Sequence, residues 1–211
     1  MSEPELTSLP IHHFLDRLAS AAPTPGGGSA AALAGALAAS LVCMVCNLTI
    51  GRETLAEFED HARLILQRAE ATAAQLRSAI SADAAAYSAV IAARRLPRGS
   101  TDEQADRRRI IQTATVEAAR VPLDISRACR DVLGLCEDAM GVTNPHAASD
   151  IMVAALLAGA GIEAAAASVE INLATLRDEE LAEEMRRQLA TFRAGREERV
   201  RAILERVREQ F

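Results

Sequence analysis

Lysine and tryptophan are both missing from this 211-residue chain, which carries one tyrosine and four phenylalanines. Without lysine there is no Schiff-base chemistry and no lysine general base, so that branch of covalent catalysis is closed. Aromatics make up 2% of the sequence, which leaves little on which to stack nucleic-acid bases. A formal net charge of −6 argues against general nucleic-acid binding as well. Cysteine is sparse: Cys43, Cys46, Cys129 and Cys136 are too few to frame a disulfide-built fold of this size. Cys43 and Cys46 form a CxxC, but inside a long apolar segment, so buried structural thiols are the expectation. His and Cys have no ligand-like spacing, and His12 and His13 are merely adjacent, so no metal site is expected. The first twenty residues hold Glu3, Glu5, two histidines and Asp16 but no apolar core, so the reading is a cytoplasmic protein without a secretory leader.

What is present is aliphatic. Hydrophobic residues are 50% and charged residues 25%, which excludes disorder and fits one globular domain over 1–211. No stretch alternates with period two, whereas apolar residues recur at helical spacing almost throughout. The expectation is an all-α bundle with two largely buried, Ala-rich helices and several long amphipathic ones. The first helix runs from Leu9 to Ala21, and the first buried helix from Ser29 to Ile50, ended by Gly51. An amphipathic stretch covers 52–96 and stops at Leu96-Pro97-Arg98-Gly99. Ser100 or Thr101, with Glu103, then opens a helix from Asp102 to Met140 that Pro122 should kink or divide. After a Gly141–Pro145 loop, 147–174 is the second buried helix and 178–210 a charged amphipathic one. The Glu and Arg pairs of that last helix, such as Glu197 and Arg201, read as a solvated face. The segments from Ala30 to Ile50 and from Ile151 to Ala167 are long enough to cross a bilayer. Asn47, Thr49 and Glu163 within them favour helices buried in a bundle, so no membrane partner is expected.

Residues 23 to 29, Pro-Thr-Pro-Gly-Gly-Gly-Ser, stand directly before the first buried helix. Two prolines stiffen the approach, and three glycines leave backbone bare. Ser29 reads as the cap of the helix. Together they make either an ordinary turn or a cradle in which free N–H groups meet a polar or anionic ligand. Other polar residues stand where the pattern wants apolar ones. Asn47 ends the first buried helix and Asp83 sits among alanines. Asn144, His146 and Asp150 cluster before the second buried helix, and Asn172 lies near its far end. Each has a structural reading too: Asn144-Pro145 suits a turn, Ser149 or Asp150 suits a cap, and Asp83 suits an ion pair.

In this order the motifs resemble a known family. Phe14-Leu15-Asp16-x-Leu-Ala-Ser, Pro-Thr-Pro-Gly-Gly-Gly-Ser-Ala-Ala-Ala-Leu and Met44-x-x-Asn47-Leu-Thr-Ile-Gly51 are followed by Asp83-Ala84-x-Ala86-Tyr87. Leu96-Pro97, Val121-Pro122-Leu123, Asn144-Pro145, Ser149-Asp150 and Ile171-Asn172-Leu173 continue the match. The chain resembles the formimidoyltetrahydrofolate cyclodeaminase and methenyltetrahydrofolate cyclohydrolase family, which is also the second half of bifunctional formiminotransferase-cyclodeaminases. It departs from the pattern at His146, where asparagine is usual, and at Arg52, where lysine is.

The resemblance implies an all-α homodimer acting on the one-carbon unit of tetrahydrofolate, the folate being substrate and no cofactor being needed. The implied reaction is cyclohydrolysis of 5,10-methenyltetrahydrofolate to 10-formyltetrahydrofolate. The alternative is cyclodeamination of 5-formiminotetrahydrofolate with loss of ammonia; a non-catalytic folate-binding or scaffold protein is more remote. Asp83 is the principal acid/base expected. Asp150 is the second, and His146 would shuttle a proton to water. Pro25, Gly26, Gly27, Gly28 and Ser29 would wall the substrate, with Asn47 and Asn144 as neutral hydrogen-bonding groups. Arg94, Arg95 or Arg98 would hold the glutamate tail.

Overall fold

The computed structural model describes residues 5–209, and among them there is no β-strand. Its helices are α1 (Ile11–Leu18), α2 (Gly27–Asn47), α3 (Glu59–Arg94), α4 (Thr101–Ala139), α5 (Ala148–Leu173), α6 (Glu179–Arg193) and α7 (Arg196–Arg208). Short 3-10 turns precede α1, α3 and α5. Helices α2, α3, α4 and α5 form an up-down-up-down bundle whose four sides are α2–α3, α3–α4, α4–α5 and α5–α2. Helices α6 and α7 lie against the α4–α5 side.

The bundle is held by small residues. A Cβ added to Gly35 of α2 would stand 3.1 Å from the Leu76 methyls, and one on Gly161 of α5 would stand 2.7 Å from Cys129 Sγ. Glycine therefore lets α2 and α5 close on α3 and α4, and alanines such as Ala32, Ala38, Ala154 and Ala158 fill the seam. Cys46, Cys129 and Cys136 are buried in this core, and burial pushes each thiol up to about 12. They pack as small hydrophobes, as the sequence suggested. Helices α2 and α5 are apolar enough by length and composition to cross a membrane, yet 56% and 50% of their apolar windows are buried inside the bundle.

Several boundaries differ from expectation for identifiable reasons. Pro122 lies inside α4 without dividing it. The last amphipathic segment is two helices, because Gly195 takes φ +68° between α6 and α7. Glu197, Arg201 and Glu205 are exposed, the solvated face expected of them, while other arginines of these helices reach inward. Arg193 and Arg196 pair with Glu163 of α5, and Arg199 grips Glu137 of α4 with two bonds of 2.7 Å. Ser29 is not the cap of α2: Gly26 is, and its carbonyl accepts the first helical bond from Ala30 at 3.0 Å. Where the sequence rule applied cleanly it held. Ser100 and Glu103 form a capping box at α4, and Gly51 takes φ +75° just past α2.

Candidate functional site

At the end of the bundle where α2 begins, all four long helices border one cavity of about 230 Å³. Its wall includes Thr24, Gly26, Gly27 and Gly28 ahead of and inside α2, Asp83 and Tyr87 of α3, Ala118 of α4, and Ser168 and Asn172 of α5. The antiparallel run of α2 against α3 and α5 explains the assembly: the start of α2 meets the later turns of both neighbours.

Asp83 and the glycine string form one structure. Ser29 Oγ lies 2.9 Å from Asp83 Oδ2 and 2.9 Å from the Ile80 carbonyl oxygen. The Ser29 backbone N–H also donates to the Asp83 carboxylate. A Cβ on Gly28 would come within 2.6 Å of Asp83 Cγ, so only glycine leaves the carboxylate where it is. Burial raises the Asp83 pKa above the ordinary carboxylate value, and the two Ser29 hydrogen bonds oppose that rise only in part.

The Ser29 hydroxyl suits both protonation states of its neighbour. It has one hydrogen and two lone pairs. Facing a carboxylate, it donates to Asp83. Facing a carboxylic acid, it turns its hydrogen to the Ile80 carbonyl and accepts from Asp83. A carboxyl group with a raised pKa, fixed in place yet comfortable with or without its proton, is equipped to take up and return a proton.

The glycine string supplies donors. The Gly27 and Gly28 N–H groups fall in the first turn, where no helical carbonyl can reach them. They border the cavity that Asp83, Ser168 and Asn172 also line. Pro25 is buried, and Pro23 and Thr24 stand at the cavity wall in its place.

The remaining expected residues are elsewhere. Asn47 ends α2, and the twenty residues separating it from Gly27 span about 30 Å of helix. Asp150 opens α5 while Asn172, at the cavity, closes it, again about 33 Å apart along one axis. Asn144 is a buried joint: its N–H donates to Thr49 Oγ1 at 2.9 Å, its Nδ2 to the Leu48 carbonyl at 3.3 Å, and its Oδ1 accepts from the His146 N–H at 3.0 Å. His146 itself is exposed. Within one chain, therefore, Asn47, Asn144, His146 and Asp150 do not share a site with Asp83. Conversely, Tyr87, Ala118, Ser168 and Asn172 border the cavity without having been assigned to it. Their signal was the helix register, since Tyr87 lies one turn beyond Asp83 and Ser168 one turn before Asn172. Among the described residues no group of three His, Cys, Asp or Glu is placed to hold a metal ion.

This geometry can be set beside known proteins. The family model described as Formiminotransferase-cyclodeaminase matches residues 10–191. The chain belongs to that family. A protein named methenyltetrahydrofolate cyclohydrolase, from Methylorubrum extorquens, is 44% identical over 179 residues, covering 85% of this chain and 86% of its own. The formimidoyltransferase-cyclodeaminase of Rattus norvegicus is 29% identical over 190 residues, 90% of this chain but 35% of that longer protein. The crystal structure of a formiminotetrahydrofolate cyclodeaminase from Thermotoga maritima superposes with a TM-score of 0.81 at 29% identity, covering 98% of this chain and 97% of that one. The all-α fold of this family is therefore the fold seen here.

Proposed function

We propose that this chain is a methenyltetrahydrofolate cyclohydrolase, with Asp83 as its general base and acid. The observation that carries the reading is the carboxyl group of Asp83, raised in pKa and clamped by Ser29 beside bare glycine backbone. The 44% identity to the Methylorubrum cyclohydrolase over most of both chains supports the choice of reaction.

The chemistry follows from the cavity. Its volume of about 230 Å³ is smaller than a drug-sized pocket and suits one ring system, with the rest of a folate running outward. The methenyl carbon bridges N5 and N10 and carries delocalised positive charge, so an ionised Asp83 both attracts it and activates water beside it. Water oxygen bonds to that carbon while its proton passes to Asp83. The tetrahedral adduct then breaks its bond to N5, Asp83 returns its proton to N5, and the adduct hydroxyl loses its proton to solvent as the formyl C=O forms. The net products are 10-formyltetrahydrofolate and one proton. Holding the reacting carbon and water against a fixed carboxylate removes much of the entropic barrier.

Cyclodeamination is the second reading, favoured by the match to the Thermotoga cyclodeaminase. There N10 attacks the formimino carbon, Asp83 takes the N10 proton, and the same group protonates the departing ammonia. The two reactions share one carbon and one carboxyl group. A glutamate tail leaving the cavity along α3 would pass toward Arg94, Arg95 and Arg98, which are exposed at the end of that helix.

A homodimer is part of the proposal. Helices α2 and α5 expose Leu37 at 50%, Leu156 at 50% and Ile171 at 71%, with Met44 and Val153 between them at helical spacing. Neighbouring helices with such uncharged outer stripes are suited to packing against a second copy. A cytoplasmic location is supported by the four unpaired thiols.

The deciding assay follows the methenyl absorbance of purified protein. Loss of 5,10-methenyltetrahydrofolate faster than its spontaneous hydrolysis supports cyclohydrolase, and appearance of it from 5-formiminotetrahydrofolate supports cyclodeaminase. Saturable folate binding with neither reaction would leave a carrier and end the enzyme reading.

A further inference from the structure

Helix α4 contains a proline in its interior, and the consequence reaches the cavity. Pro122 has no N–H, so the carbonyl of Ala118, four residues earlier, loses its helical donor. A side chain from another helix takes the vacancy. Asn172 Nδ2 of α5 donates to the Ala118 oxygen at 2.8 Å and to the Ser168 oxygen at 2.8 Å. Both partners are carbonyls and can only accept, so the amide orientation is fixed: nitrogen toward the two backbones, oxygen away from them. Asn172 and Ala118 both line the cavity. Asn172 Oδ1 accepts no hydrogen bond from any described residue.

We propose that Asn172 is a substrate-seating residue, its Oδ1 being a fixed acceptor for an N–H on the ring system of the bound folate. This rests on the folate reading above. A side-chain amide in solution can turn either face to a ligand, whereas this one cannot, because its nitrogen completes the backbone of α4. The cavity therefore presents two acceptors of different kinds. Asp83 is ionisable and serves the reacting carbon. Asn172 is neutral and serves recognition, which suits a ring that carries amino and amide N–H groups. Bare Gly27 and Gly28 N–H groups supply the complementary donors for a ring carbonyl. Proline at 122 and asparagine at 172 thus form one device, although fifty residues separate them.

The test is Asn172→Ser. A helical serine returns its hydroxyl to the carbonyl four residues back, here Ser168, but extends no acceptor into the cavity. The KM for 5,10-methenyltetrahydrofolate and the dissociation constant for tetrahydrofolate, by calorimetry, should each rise about tenfold, with kcat within about threefold of the parent. A folded variant with unchanged KM and unchanged dissociation constant overturns the proposal, whatever its melting temperature. If the serine variant does not fold, Pro122→Ala decides. The new N–H competes for the Ala118 carbonyl and loosens the amide, so KM should rise severalfold without loss of thermal stability; an unchanged KM overturns the proposal. Parent protein that binds tetrahydrofolate and turns over neither folate refutes the catalytic reading alone. Parent protein that binds no folate refutes both.

Discussion

The two ends of the bundle carry similar polar residues and use them differently. At the far end, Asn144 has its backbone N–H, side-chain amide and side-chain oxygen all engaged by Thr49, Leu48 and His146. Thr49 in turn donates to the Val45 carbonyl at 2.9 Å. A cavity of about 240 Å³ also lies beside Asn144, but its wall is mostly apolar and holds no ionisable side chain. At the near end, Asp83 is steadied by Ser29 but faces a cavity, Asn172 keeps an oxygen without a protein partner, and the first-turn N–H groups of α2 have no helical acceptor. Polar residues in an apolar helix thus mark either a joint or a site, and at the site a polar atom without any protein partner stands beside an ionisable one at a cavity wall.

The sharpest way to break this comparison is Asp83→Asn. It keeps shape and can still accept from Ser29, but it cannot take a proton. Loss of kcat/KM of about 10² to 10⁴ is expected in the methenyl assay. Stability should move the other way. The folded-state pKa of Asp83 is raised, so the native protein holds that proton more tightly than the unfolded chain. Stability contributed by the protonated form is present below the unfolded carboxylate range and is lost as pH rises through the folded value. At neutral pH the ionised group is thus a net cost, and Asp83→Asn should melt at the same or a higher temperature. A variant that loses both activity and stability would make Asp83 a structural partner instead. In the parent enzyme, kcat/KM should fall on the acid side with an apparent pKa above the usual carboxylate value, and the variant's residual rate should lack that limb.

Gly28→Ala comes next. The new methyl occupies space now held by the Asp83 carboxyl group, which must rotate away from Ser29. Activity should drop by about 10²-fold, since a displacement near 1 Å has that cost in a preorganised site. Circular dichroism should show the helices intact, because alanine favours the first turn more than glycine does. Near-parental turnover would show that the carboxylate needs no fixed position.

Much of this was legible in the sequence, and the part that was not has a physical reason. Helical periodicity located the two buried helices to within a few residues, because an all-round apolar surface is unmistakable. Gly195 was missed because the Glu and Arg pattern runs on either side of it without a break, and charge spacing says nothing about φ. Of the expected site residues, the glycine string and Asp83 lie together at one end of the bundle, and Asn47, Asn144, His146 and Asp150 at the other. Helix length alone implies that separation within one chain. A helix of 21 residues from Gly27 to Asn47 holds its ends about 30 Å apart, whatever packs around it. Asn172 was singled out as a misplaced polar residue yet assigned no role. Its role depends on Pro122, and a proline inside a helix tells nothing of which neighbour will fill the empty carbonyl.

A third change, Asn144→Ala, tests the other end. It removes two side-chain hydrogen bonds from a buried joint between α2 and α5, which should cost about 1–3 kcal/mol in a denaturant titration. The folded variant should keep kcat/KM within about twofold. If the joint were instead a second catalytic centre, activity would fall while stability held.

The smallest effect is expected from the double change His146→Ala and Asp150→Asn. Both residues lie at the far end of α5 from the cavity, beyond hydrogen-bonding reach of Asp83 in their own chain, and His146 is exposed. The double variant should therefore turn over 5,10-methenyltetrahydrofolate within about twofold of the parent. A larger loss has one structural route. The exposed stripes of α2 and α5 run the length of the bundle, and two copies packed along them in opposite directions would lay the far end of one across the cavity of the other. Mixing the double variant with an Asp83→Asn variant separates the cases. Activity recovered in the mixed dimer, above that of either variant alone, would place the second copy's far end in the reaction. No recovery, with a near-parental double variant, keeps the whole site within one chain.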